Sequence, residues 1–330
     1  GTVMQEMEYV KIPYVEKPVS RILFGTAMTP FLEGGDGNAL LDAIYQTGVN
    51  TFDTARQYEG AEMSLGNWIA RRNLREEVVI LSKCGHPTPS WEKRVHEKAM
   101  RKDLKESLRN LCTDYIDIYL LHRDDKDVQV GEIVEVFNAM HEEGKIGAFG
   151  GSNWTHERIE AANEYAYKHD MIPFTVSSPN YGLAEQKEDL WGGGCVTISG
   201  PDNVQAREWY AANQMPVVAY SSLGRGLFSG KLKSEEAAKN APKILDEPAM
   251  KGYGYPENYE RLRRCEALAA QKQVSVAQIA MAYIFNQRIN TLAVVSTASP
   301  ERMQSNIDAL HIKLSEEECA YLDLRSERQA

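Results

Sequence analysis

The chain has 330 residues, 47 of them acidic and 37 basic, which leaves a formal charge of −10. With 43% hydrophobic and 25% charged residues it has the balance of an ordinary globular protein, which argues against disorder. The acidic surplus argues against a general nucleic-acid binder, whose phosphate contacts need clustered Lys and Arg, although one local basic pocket remains compatible with it. No apolar run approaches the ~18 residues of a membrane span, and the opening residues carry charge with no apolar core. The expectation is therefore a cytoplasmic protein with no membrane partner. Cys84, Cys112, Cys195, Cys265 and Cys319 are scattered without C-x-x-C spacing, the pattern of reduced thiols and not of a disulfide framework or zinc site.

In chain order, the alternating, Pro-bounded segment Tyr9–Val19 within residues 1–19 reads as a short hairpin closing the bottom of a barrel. Short apolar runs rich in Val, Ile, Phe, Tyr and Leu then recur at Ile22–Thr26, Val49–Thr54, Val78–Lys83, Tyr115–His122, Ile146–Asn153, Phe174–Ser178, Val217–Ser221 and Leu292–Thr297. They are too short for independent helices and read as strands. Helical faces lie between them. Leu104, Leu108 and Leu111 form one stripe, Ile133, Val136, Phe137 and Met140 a second, and Val276, Ile279, Ala280 and Tyr283 a third. Eight strands alternating with helices predict a parallel sheet, and eight is the number that closes a (β/α)8 barrel. Such barrels exceed ~200 residues as one unit, and no linker is visible, so residues 1–330 are expected to form a single domain. Two long segments, Gly182–Gly200 and Gly224–Tyr255, break the rhythm and are expected over the face that carries the chemistry.

In such barrels reactive groups sit at the C-terminal ends of strands. Those ends carry Asp53 and Tyr58 after the second strand, Lys83 after the third and His122 after the fourth. Singly each has an ordinary explanation, since an Asp after a strand often caps the next helix. Three ionisable groups closing consecutive strands whose ends converge are hard to account for as solvated surface. A phenol with a pKa of about 10 is a poor acid near neutrality unless its anion is stabilised. An ammonium at Lys83, held by Asp53, would lower the Tyr58 pKa, and His122 would orient a carbonyl oxygen beside the phenol. Such a site protonates a carbonyl oxygen while a cofactor supplies what adds to carbon.

These residues fall in motifs. Phe-Asp53-Thr-Ala-Arg-Gln-Tyr58, Leu-Ser-Lys83, Thr-Asp-Tyr-Ile-Asp117-Ile-Tyr-Leu-Leu-His122, Gly-Ser152-Asn153-Trp and Ala-Tyr220-Ser-Ser-Leu-Gly-Arg-Gly follow one another in order. With them the chain resembles the aldo-keto reductases over essentially its whole length. The resemblance implies a (β/α)8 barrel, a tetrad in which Tyr58 is the general acid, and hydride transfer from NADPH to an aldehyde, a ketone or a sugar-like carbonyl without a metal. It further implies that Ser152 and Asn153 hold the nicotinamide amide and that Tyr220 stacks on its ring. Ser221, Leu223 and Gly224, with Arg225, match the loop beneath the pyrophosphate. Arg302, with Asn306 on the same segment, matches the grip on the 2′-phosphate, a job suited to a planar guanidinium. Two positions depart from the family. Ser178, with Asn180 two residues on, stands where many members have Gln, and Ser296 where many have Lys. Losing that cation weakens the case for NADPH over NADH without reversing it, and NADH is not excluded.

Other features carry less. Gly224-x-Gly226-x-x-x-Gly230 follows the seventh strand and not the first strand of a Rossmann unit. Asn153-Trp-Thr is a glycosylation sequon at a strand end, and Asp117, in mid-strand, is expected to make a structural hydrogen bond. The loops over the mouth offer Met28, Arg56, Trp91, Arg123, Trp154, Trp191 and Tyr253 as substrate contacts. The expected partner is a small carbonyl or alcohol, and the oligomeric state stays open. Two alternatives remain. One is a non-catalytic nucleotide-sensing subunit, because the auxiliary β-subunits of potassium channels resemble the same family and keep the tetrad. The other is a barrel isomerase or lyase using Lys83 as a Schiff base, which needs a dry pocket that Asp53 and Tyr58 disfavour.

Overall fold

The computed structural model describes residues 4–327. Tyr9–Val10 (β1) and Val19–Ser20 (β2) pair antiparallel, Tyr9 with Ser20 and Val10 with Val19. The chain between them is tied to residues that enter the strands which follow. Lys17 Nζ donates to the carbonyls of Val78 (2.8 Å) and Arg75 (3.0 Å), and Thr175 donates to the Pro13 carbonyl (3.4 Å). The hairpin thus lies at the N-terminal ends of these strands.

Eight further strands follow: Ile22–Gly25 (β3), Thr51–Asp53 (β4), Val79–Cys84 (β5), Ile116–Leu121 (β6), Ile146–Ser152 (β7), Val176–Ser178 (β8), Val217–Ala219 (β9) and Thr291–Val295 (β10). Each lies at an expected run, with small shifts at its ends. They are parallel, in the closed order β10-β3-β4-β5-β6-β7-β8-β9, and the fold is the (β/α)8 barrel. The runs read as continuously apolar because strands of such a sheet are covered on both faces. The pairing sets the positions that matter: Asp53 lies beside Gly25 and Leu81, Lys83 beside Leu120, and Ser152 beside Ser178.

Contacts divide the chain into two compact units, one of Met7–Ser178 with Val294–Pro300, the other chiefly of Pro179–Ala293 and the segment from Glu301. In the first, helices Asn38–Gln46, Ala61–Arg72, Glu97–Asn110, Val130–Glu142 and His156–Lys168 alternate with strands. The stripe Ile133, Val136, Phe137 and Met140 is buried, and Phe137 stacks on Phe149 with ring centroids 5.2 Å apart. Trp154 and Phe174 extend this aromatic core. On Glu97–Asn110, Leu104 is buried as expected and Leu108 half-buried, but Asp103 and Ser107 are buried beside them.

In the second unit, Gly224–Tyr255 is more ordered than its composition suggests, because it contains helices Ala237–Ile244 and Glu247–Tyr253. Pro242 and Gly252 within them mask the helical pattern in the sequence. Asp246 caps the second helix by accepting from the Ala249 amide (2.9 Å). Among the described residues no helix is long and apolar enough to cross a membrane. Cys84, Cys265 and Cys319 are buried and Cys112 is exposed, and no disulfide joins any of the five cysteines among the described residues.

Candidate active site

Parallel strands β4, β5 and β6 end together, and their register brings three of the four expected residues into contact range. Lys83 Nζ donates to Asp53 Oδ1 (2.8 Å), to the Thr54 carbonyl (3.0 Å) and to the Tyr58 hydroxyl (3.4 Å). Tyr58 reaches this point because the turn after β4 is closed by its own amide donating to the Ala55 carbonyl (3.1 Å). His122 is the residue after β6, and its amide donates to the Cys84 carbonyl (2.7 Å). Its ring meets Tyr58 edge-on, with centroids 5.7 Å apart. Asp53, Tyr58, Lys83 and His122 therefore form one cluster.

Burial dominates its electrostatics. Part of the Tyr58 ring reaches solvent, but its hydroxyl is enclosed, and burial raises its pKa above the ordinary tyrosine value. Lys83 and Arg123 pull it down, Asp53 pushes it up, and the net direction is upward. Residue types alone display only the ammonium. That influence has the expected sign, but desolvation, which a sequence does not display, outweighs it. For Lys83 burial disfavours the charge, yet Asp53 and Tyr58 more than offset it, so the amine is held above the usual lysine range as an ammonium. Burial raises Asp53 against the opposing pull of Lys83. His122 is pushed well below its ordinary value, by burial first and then by Lys83, Arg123 and His86, which makes it a neutral imidazole near pH 7. Its Nδ1 is buried with no hydrogen-bond partner among the described residues.

The segment after Lys83 is anchored from outside. Asp103 Oδ2 accepts from the Gly85 amide (2.8 Å), and Arg94 donates to both Asp103 oxygens (2.9 and 2.7 Å) and to the His86 carbonyl (3.1 Å). This clasp sets His86 edge-on to His122, ring centroids 4.8 Å apart, and burial lowers the His86 pKa. Sequence reasoning missed His86, since nothing periodic marks a loop. Its position three residues after Lys83 was the available signal. Behind β5, the fully buried Glu62 accepts from Ser82 (2.6 Å), and burial raises its pKa.

The expected substrate contacts divide by exposure. Trp91 is 51% exposed and lies near His86, Trp191 is 46% exposed, and Met28 is half-buried. Trp154 and Tyr253, each 1% exposed, belong to the interior. Trp154 packs on Phe174, and Tyr253 accepts from Asn180 (3.0 Å) and donates to Gln186 (3.2 Å). Both are withdrawn as contacts. Arg56 is paired with Glu106 (2.6 Å).

The residues matched to the nicotinamide amide lie together in the first unit. Ser152 and Ser178 are buried, Ser152 Oγ donates to the Ser178 carbonyl (3.2 Å), and Asn153 Nδ2 lies 3.3 Å from Ser152 Oγ. Asn153 adopts a left-handed conformation (φ 60°), which folds its side chain back under His122, whose carbonyl it reaches at 3.4 Å. A hydroxyl beside a carboxamide offers the donors and acceptors that an amide ligand needs, so these residues fit the group. Ser296, in the same unit, is exposed and donates to the Gly25 carbonyl (2.9 Å). A Cβ on Gly25 would stand 2.5 Å from that hydroxyl and 2.8 Å from Val294 Cγ1, so a side chain there would have to displace both.

In the second unit Tyr220 is half-buried and bridges to Asn180. Asn180 donates to the Tyr220 carbonyl (3.1 Å) and accepts from Thr197 (2.6 Å) as well as contacting Tyr253. The loop that follows holds Ser221 (φ 54°), Gly224 (φ 65°), Arg225 (φ 52°) and Gly226 (φ 110°) in the left-handed region, while Leu223 between them keeps a negative φ (−98°). Left- and right-handed residues in succession turn backbone N–H groups into a concavity suited to an anion. The Arg225 guanidinium lies over the Trp191 ring, 5.0 Å from its centroid. Arg302 is exposed on helix Pro300–Ala309, and Asn306, one turn on, is buried.

Comparison with known proteins agrees with this architecture. The chain is 29% identical over 300 residues to a putative aryl-alcohol dehydrogenase of Saccharomyces cerevisiae, covering 86% of this chain and 75% of the relative. It is 28% identical over 296 residues to norsolorinic acid reductase of Aspergillus flavus, covering 86% and 70% of the two chains. It is 25% identical over 351 residues to protein tas of Escherichia coli, covering 96% and 97%. The solved structure of a glycerol dehydrogenase from Gluconobacter oxydans superposes with a TM-score of 0.74 at 23% identity, covering 96% of this chain and 94% of that one, a likeness of fold. The Aldo/keto reductase family model matches residues 21–326. The chain belongs to the aldo/keto reductase family.

Proposed function

We propose that the protein is an NAD(P)H-dependent oxidoreductase that interconverts a carbonyl compound and its alcohol, with Tyr58 moving the proton. The observation that carries this reading is the hydrogen-bonded run Asp53–Lys83–Tyr58 beside a neutral His122 at converging strand ends. Family membership and the dehydrogenase and reductase names of the relatives support the reaction class. A reduced nicotinamide, when bound, supplies the hydride equivalent.

The chain's own residues do the rest. Tyr58 O–H donates to the carbonyl oxygen and yields its proton as that oxygen gains charge. Lys83, kept cationic by Asp53, stabilises the phenolate left behind and reprotonates it through solvent exchange. His122, being neutral, orients the carbonyl oxygen by a hydrogen bond without competing as an acid. Ser152, Asn153 and Ser178 are assigned to the carboxamide of the cofactor and Tyr220 to its ring face. Ser221, Leu223, Gly224 and Arg225 are assigned to the pyrophosphate, and Arg302 with Asn306 and Ser296 to the adenosine 2′ position. NADPH is the preferred form on the strength of Arg302.

Fluorescence titration with NADPH and NADH, followed by a panel of aldehydes and ketones monitored by loss of reduced-nicotinamide absorbance, tests the proposal. Binding and turnover are expected, with NADPH the tighter ligand. Arg302→Ala should weaken NADPH much more than NADH, and equal losses would remove its phosphate role. Failure to bind either nucleotide overturns the reading, and binding without turnover of any carbonyl returns the choice to a nucleotide-sensing subunit.

A further inference from the structure

Four arginines stand around the strand mouths of the first unit, and three of them are matched by carboxylates. Arg56 pairs with Glu106 (2.6 Å), Arg94 with Asp103 (2.7 Å) and Arg158 with Asp124 (2.8 Å). Arg123 differs. Among the described residues it has no carboxylate within the 4.0 Å of an ion pair, although it is only half-buried and follows His122 directly. Its Nη1 donates to the His122 carbonyl (3.2 Å), and its Nε is buried with no hydrogen-bond partner.

The edge left without a partner is the one that other arginines of this chain turn to carboxylates. Arg158 grips Asp124 through Nε (2.8 Å) and Nη2 (2.9 Å), and Arg72 grips Asp42 through the same two nitrogens (2.9 Å each). In Arg123 the bond to His122 uses Nη1, and the buried Nε on the other edge has no hydrogen-bond partner among the described residues. A desolvated N–H on a cation without a counter-ion is an unfavourable arrangement that an arriving anion relieves. The guanidinium is close enough to the reactive cluster for its charge to pull on Tyr58, His122 and His86.

We propose that Arg123 is a specificity-determining residue that receives the carboxylate of the substrate, so that the preferred substrates are aldehydes or ketones bearing a carboxylate. The planar side-on fork matches two carboxylate oxygens, and one guanidinium balances one negative charge. Half-buried His86 and exposed Trp91, their rings tilted by 40° with centroids 6.3 Å apart, offer aromatic contacts for the body of such a molecule. The inference rests on the reading that Tyr58 and His122 face the carbonyl, and it adds the chemical class of what is reduced.

The test compares 4-carboxybenzaldehyde with its neutral methyl ester as substrates of the wild type, Arg123→Gln and Arg123→Lys. The wild type should favour the acid. In Arg123→Gln the ratio of kcat/KM for acid over ester should fall on the order of 100-fold, and Arg123→Lys should restore part of it. A second readout needs no turnover: calorimetric titration with benzoate and benzamide, where benzoate binding should be measurable in the wild type and lost in Arg123→Gln. A wild type that prefers the ester, an unchanged ratio in Arg123→Gln, or benzoate binding indifferent to the substitution overturns the proposal. Benzoate binding that depends on Arg123 in a protein reducing no carbonyl would uphold the anion site while removing the reductase reading.

Discussion

The same three residue types meet at both ends of the strands in the first unit, with opposite outcomes. At the C-terminal ends Lys83 joins Asp53 and Tyr58, with its Nζ 4.9 Å from the tyrosine ring centroid. At the N-terminal ends Lys17 pairs with Asp117 (3.0 Å), donates to the Tyr115 hydroxyl (2.8 Å), and also lies 4.9 Å from its ring centroid. The lower cluster is complete. Asp117 also takes Arg75 (2.9 Å) and the Ile80 amide (2.8 Å), and Lys17 spends its other protons on two carbonyls. The upper cluster is unfinished, because Thr54 Oγ1, His122 Nδ1 and Arg123 Nε are buried without hydrogen-bond partners among the described residues. A saturated network resists change and serves stability, whereas open valences at the mouth are what a substrate answers.

Removing the same oxygen at each end separates the two most sharply. Tyr58→Phe should lower kcat on the order of 1,000-fold while leaving nucleotide affinity nearly as it was. Wild-type turnover in that variant would end the role of Tyr58 as proton donor. Next in size, Asp117→Ala strands two cations at the lower end and should reduce unfolding free energy by about 3 kcal/mol in urea titration. Turnover per folded molecule should not change, and a large loss of turnover would contradict a purely structural cluster.

A smaller effect concerns acid. The folded-state pKa of His122 lies well below its ordinary 6.5, so between the two values the unfolded chain holds the extra proton. Stability from this group is complete above that ordinary value and is lost as pH falls below it, at up to ~1.4 kcal/mol per pH unit. Urea unfolding of the wild type and His122→Gln across this range should show the steeper decline in the wild type, and parallel slopes would place the titration elsewhere. The smallest change is Tyr115→Phe, which should cost about 1 kcal/mol of stability with no effect on kcat.

The strand ends were legible because a polar residue closing an apolar run is conspicuous: Asp53, Lys83 and His122 each stop such a run. The hairpin was readable from Tyr9–Val19 for the complementary reason, alternation between prolines. What escaped depends on distance in the chain. Arg94, Asp103 and the turn at Gly85 meet only after the helix has packed, so His86 carried no mark of its place beside His122. Trp154 and Tyr253 looked like mouth residues because they follow strands or sit in a long segment, whereas packing against Phe174 and Asn180 claims them for the interior. The upward pKa direction of Tyr58 was equally unreadable, since charge can be listed from residues but desolvation requires three dimensions.

The Arg94–Asp103 clasp makes an outer helix a party to the chemistry. Asp103 sits on Glu97–Asn110, whose neighbouring positions Lys102 and Lys105 face solvent, yet its carboxylate grips the backbone immediately downstream of Lys83. Random mutagenesis of this enzyme would then return altered-rate variants from a region that sequence inspection would class as scaffold. A search for improved turnover has reason to include that helix alongside the rim.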